Sequence, residues 1–159
     1  MRAAILMVAL AVGAAACGPD VDVTKALELS IVNSGWYDVG IVNGQNKLVP
    51  SVTVTIKNNS DQTLGLLQVN SLFRQVSANE EWGSAFLTAA GSEGLKPGAS
   101  KTLTLKSNNG YTGSGETRQE MLKNSHFVDA RVEVFAKYGS TQWKKLGVYS
   151  VTRQLIEKS

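Results

Sequence analysis

One cysteine and one histidine in 159 residues leave little of the usual site chemistry to build with. A single cysteine has no internal disulfide partner, so no disulfide framework holds the fold. One histidine and one cysteine cannot assemble a zinc or copper site of the usual kind. Asn58, Asn59 and Asp61 offer oxygen atoms to a calcium ion, but that run reads more simply as a turn, and no metal or cofactor is expected. Charge of one sign is also scarce. Sixteen Lys and Arg against thirteen Asp and Glu give a net charge of +3, far from the basic footprint of a nucleic-acid binder. The Gly-x-Ser-x-Gly elbow of many hydrolases is missing. Gly110–Gly115, GYTGSG, lacks both the Lys-Ser/Thr ending of a P-loop and the glycine order of a dinucleotide loop, and reads as a flexible crossing between sheets. No repeat of about 20–50 residues is visible, which argues against a propeller or solenoid.

The one long apolar run is at the N-terminus. Arg2 precedes the uncharged stretch Ala3–Val12, and the small residues Gly13–Ala16 lead to Cys17. The run is shorter than the about 20 residues that a spanning helix needs, so it reads as a signal peptide over residues 1–16. Ala14-x-Ala16 suits ordinary signal peptidase, and Ala14-Ala15-Ala16-Cys17 resembles a bacterial lipobox with Ala where Leu is usual. A free thiol in an oxidising compartment is a liability, and acylation removes it. Cys17 is therefore the expected lipidation site, carrying diacylglycerol and an N-acyl chain, with residues 17–25 as a short tether. Gly18 in place of Asp resembles the default route to the outer membrane.

The rest of the chain alternates with period two. Leu27, Leu29 and Ile31 share a face before a turn signal at Asn33-Ser34-Gly35. SVTVTIK sets Val52, Val54 and Ile56 against Ser51, Thr53, Thr55 and Lys57, and Asn58–Asp61 ends it. Leu64–Val76 and Trp82–Thr88 read as strands. Pro97-Gly98 fits a type II turn before SKTLTLK. Thr117 with Glu120 makes a capping box for a short helix ending near Asn124, with Met121 and Leu122 docked. DARVEVFAKYG and TQWKKLGVYSVTRQLI close the chain as two long strands around Gly139-Ser140. The expectation is an all-β, antiparallel sandwich of about seven strands with one short helix, spanning residues 26–159.

VTVTIKNNSDQTLGLLQV, LKPGASKTLTL and RVEVFAKYG together resemble the Ig-like, telokin-like domains of bacterial exported lipoproteins, over roughly residues 26–156. The resemblance implies a non-catalytic binding or scaffolding module on the periplasmic or surface side of the outer membrane. Its partners would be the membrane, through the lipid, and an envelope protein. A second reading is a small-ligand or glycan-binding lipoprotein using loop aromatics: Trp36 and Tyr37 in the turn, Tyr111 in the Gly-rich segment. Trp82, Phe135 and Trp143 fall within strands and read as packing. A third reading, an envelope hydrolase, would have to centre on His126 with Ser125 and Asp129 nearby.

Overall fold

The computed structural model describes residues 20–156; the apolar leader and Cys17, with the signal and lipidation assigned to them, lie outside the described residues. A single helical turn, α1 (Val23–Ala26), comes first. It is followed by β1 (Leu27–Val42), β2 (Gln45–Asn58), β3 (Leu67–Gln75), β4 (Glu81–Ala90) and β5 (Ser100–Lys106). After these come β6 (Tyr111–Gly113), α2 (Arg118–Lys123), β7 (Ala130–Lys137), β8 (Lys144–Ser150) and β9 (Leu155–Ile156). One sheet has the order β5-β2-β1-β9, with β6 also on β2; the other has the order β4-β3-β7-β8. The first, second and fifth long strands thus face the third, fourth, sixth and seventh, the division of an Ig-like antiparallel sandwich.

Alternation explains which side chains meet. Val52, Val54 and Ile56 of β2 are fully buried, and Leu103 and Leu105 of β5 join them. From the other sheet come Leu67, Val69 and Phe73 of β3 and Val132, Val134 and Ala136 of β7. Trp36 fills the centre of one end of this core, at 4.5 Å from the Phe127 ring and 5.7 Å from Trp82. The helix caps as its sequence dictates: Thr117 accepts from the Glu120 N–H, and the Glu120 carboxylate accepts from the Thr117 N–H. Met121 and Leu122 are buried beneath it.

Several boundaries differ from expectation. Asn33-Ser34-Gly35 is no turn. β1 continues through it with bulges at Ile31/Asn33 and Asp38/Gly40, and turns only at Asn43-Gly44, both with positive φ. The last predicted strand divides, because Val151–Gln154 crosses between the sheets and β9 then lies parallel to β1. GYTGSG is not a flexible crossing over its length: Tyr111–Gly113 form β6 on Asn46–Leu48. Within the segment 17–25 expected as a tether, the described part is held against the domain. Val21 donates its N–H to the Tyr138 hydroxyl at 2.6 Å, and Val23 is buried, so the chain is docked beside the β7–β8 turn from Val21 onward.

Two signals that look separate in the sequence form one structure. The buried Asn58 Nδ2 donates to the carbonyls of Gln62 and Leu95 at 2.7 and 2.8 Å, while its Oδ1 accepts from the Ser60 N–H and hydroxyl. Its backbone carbonyl accepts from the Gly98 N–H, and its own N–H reaches the Ala99 carbonyl. The crossover after β2 and the Pro97-Gly98 turn before β5 are therefore pinned to one side chain.

Candidate functional site

The outer face of β4-β3-β7-β8 is not the uniformly polar surface that a solvated sheet presents. Register sets the rows: Asn70 of β3 lies opposite both Phe86 of β4 and Phe135 of β7. Phe86 is 57% exposed, and Trp143, from the loop before β8, folds back to meet it edge-on at 6.2 Å while staying 37% exposed. Leu72 and the exposed Val148 extend the apolar surface along the next row, on either side of Glu133. Lys137 Nζ lies 5.2 Å over the Trp143 ring and Lys145 Nζ 5.4 Å over Phe135. Along β3, β7 and β8, Arg74, Arg131, Lys137 and Lys145 stand against the one carboxylate Glu133. With Glu81 of β4 paired opposite Arg74, the face is an aromatic surface with a mainly cationic surround. Its signal was present in the sequence: the alternation that sends Val132, Val134 and Ala136 inward puts Phe135 with Arg131, Glu133 and Lys137.

Glu133 pairs with two of those cations. Its carboxylate is 2.9 Å from Lys145 Nζ and 3.2 Å from Arg74 Nε, and Arg74 also donates to the Asn79 carbonyl. The hydrogen bond from Lys145 and the two positive charges hold the Glu133 carboxyl below its ordinary range, against the opposing effect of burial. A depressed carboxyl stabilises the fold above its unfolded pKa, and that contribution is lost as pH falls through the folded value. Glu133→Gln should therefore cost about 0.5–1 kcal/mol at neutral pH. The gap to the parent should close below about pH 4. Urea unfolding of both proteins at neutral and acid pH checks it.

The aromatics proposed from the sequence do not form one patch. Trp36 is fully buried, and its ring neighbours are Trp82 and Phe127. Tyr37, next in the strand, points to the opposite face, beneath Lys106. Tyr111 is half-buried and leans on Phe127 at 4.8 Å. Trp36 and Tyr111 thus close one end of the sandwich, and Tyr37 alone of the three stands on the outer face. His126 is exposed, and the carboxylate nearest to it in sequence, Asp129, is held by both Arg153 Nε and Nη2. That ion pair depresses the Asp129 carboxyl and leaves the acid committed elsewhere. Asn58, a candidate oxygen ligand, uses both ends of its amide internally. Among the described residues no three His, Cys, Asp or Glu side chains gather, and no helix is long and apolar enough to cross a membrane.

No protein-family model matches the sequence, and no curated protein does. Among solved structures, the chain is similar to Northeast Structural Genomics Consortium target SoR45, at 10% identity and a TM-score of 0.42, over 82% of this chain and 86% of that one. It is also similar to the ligand-binding region of serine-glutamate repeat protein A of Enterococcus faecium, at 11% identity and a TM-score of 0.34, over 82% of this chain and 99% of that one.

Proposed function

We propose that this protein is a lipid-anchored, non-catalytic binding module of the bacterial envelope that docks a protein partner on the outer face of β4-β3-β7-β8. The observation that carries the docking surface is the Phe86–Trp143 pair, two large rings touching each other in the open. Exposed aromatics grouped with cations are the composition of interaction surfaces, where a few rings supply most of the binding energy. The chemistry of the partner follows: an apolar anchor ringed by carboxylates, to meet Lys137, Lys145 and Arg131. The anchor rests on the sequence, on the apolar leader ending at Cys17 and the resemblance to telokin-like domains of exported lipoproteins. Gly18 favours the outer membrane, with the domain on its periplasmic or surface side.

The test is crosslinking in intact cells, with the intact mass of the membrane-derived protein beside it. A lipid-sized increment on a chain starting at Cys17, absent from Cys17→Ser, is expected. The double variant Phe86→Ser/Trp143→Ser should lose at least about tenfold of the crosslinked partner while folding normally, since both rings are exposed. A plain peptide mass in the soluble fraction overturns the anchor. An undiminished crosslink in the double variant overturns the docking face.

A further inference from the structure

The outer face of the other sheet carries a different feature. Tyr37 of β1, Ser51 and Thr53 of β2, and Thr104 and Lys106 of β5 line a cavity of about 410 Å³, walled on the β9 side by Ile156. That is the small end of the range for organic ligands. Register builds it. Ser51 stands opposite Gly35 on one side and Lys106 on the other, and Thr53 stands opposite Thr104. Gly35 is required there: a Cβ would meet the Gln154 carbonyl at 2.7 Å and Ile156 Cγ1 at 2.8 Å, so its absence lets β9 in to form the wall.

Two polar groups in this cavity make no side-chain hydrogen bond or ion pair among the described residues. Ser51 is 1% exposed, yet its Oγ has no hydrogen-bond partner among the described residues. A buried hydroxyl left unpaired lowers stability, and a polar group from outside the chain would satisfy it. Lys106 joins no ion pair among the described residues; its Nζ rests 3.6 Å from the centroid of the Tyr37 ring, and its backbone is paired opposite Ser51. The Thr53 and Thr104 hydroxyls are 3.1 Å apart and keep further hydrogen-bonding capacity.

We propose that this cavity binds a carboxylated sugar, its carboxylate between the Lys106 ammonium and the Ser51 hydroxyl and its own hydroxyls on Thr53 and Thr104. A neutral sugar would offer the ammonium no counter-charge, and a simple aliphatic acid would make no use of the remaining hydrogen-bonding capacity of the threonine hydroxyls. The site lies on the sheet opposite the aromatic surface, so the two are independent.

The experiment is an amide-shift titration of the full chain with glucuronate, glucose and acetate. Glucuronate should give saturable shifts centred on residues 35–37, 51–53 and 104–106. Ser51→Ala and Lys106→Gln should each weaken it at least about tenfold, the scale of a lost charge-assisted or buried hydrogen bond. Ser51→Ala should keep or raise the melting temperature, because it removes a hydroxyl that nothing in the fold satisfies. Phe86→Ser/Trp143→Ser should bind glucuronate as the parent does. The proposal is overturned by the absence of saturable shifts, by glucose or acetate matching glucuronate, or by a Ser51→Ala variant that melts well below the parent.

Discussion

Trp36→Ala is expected to destabilise the domain by about 3–5 kcal/mol, among the largest losses that a single substitution can cause. For a domain of this size that is a fall in Tm of about 10–20 °C. The cost has two parts. The ring is fully buried between Trp82 and Phe127, so its removal forfeits a large apolar contact and leaves a void that the facing strands cannot collapse to fill. Trp36→Phe separates volume from polarity. The indole Nε1 is buried without a hydrogen-bond partner among the described residues, so exchange for phenylalanine also removes an unsatisfied donor. Trp36→Phe should therefore stay within about 1.5 kcal/mol of the parent. Thermal denaturation of both variants decides it; a Phe variant as damaged as the Ala variant would mean that the indole N–H has a role that this packing does not give it.

Asn58→Asp is expected to be nearly as costly and, unlike the tryptophan change, to depend on pH. The substitution keeps the oxygen that accepts from Ser60. It replaces the amide donor with a carboxylate oxygen facing the Gln62 and Leu95 carbonyls, which lie at 2.7 and 2.8 Å from the present nitrogen. A buried, uncompensated charge of this kind costs about 3–5 kcal/mol. Burial and the two carbonyls favour the protonated acid, so the introduced group titrates above its unfolded value. The folded state then binds more protons, and the deficit shrinks as pH falls toward about 4. Urea midpoints of parent and variant between neutral and acid pH should converge. A deficit that does not change with pH would mean that the carbonyls had turned away and water had entered.

Asn58 also shows how far the sequence could be read. The strand before it and the turn after it are legible, because alternation and turn chemistry are local properties. The meeting of Asn58 with Gly98 and Leu95 is not, because side chains nearly forty residues apart leave no joint pattern in a single chain. The same division runs through β1. Asn33-Ser34-Gly35 has the composition of a turn. Pairing with β2 and the close passage of Gln154–Ile156 over Gly35 outweigh that propensity and keep the segment extended. The true turn, Asn43-Gly44, was not among the sequence expectations, although an Asn-Gly pair suits the positive φ angles found there. Of the three aromatics, Trp36 and Tyr37 followed the misplaced turn and Tyr111 the Gly-rich segment. Once β1 is continuous, alternation sends Trp36 and Tyr37 to opposite faces. The exposed pair on the other sheet needed long-range register, since Phe86 and Trp143 are brought together only by two intervening strands.

The hydrogen bond from Val21 to Tyr138 sets a length. Four residue steps separate Cys17 from Val21, and at full extension they would span about 14 Å. If Cys17 carries a lipid, the leash is about twice as long as a headgroup layer is thick, and the β7–β8 end would face the bilayer. A domain anchored that way could not reach far into the surrounding space to find a partner. Its search would then be confined to the membrane plane, where the effective concentration of anything else held in that plane is high, so a modest intrinsic affinity would suffice for occupancy.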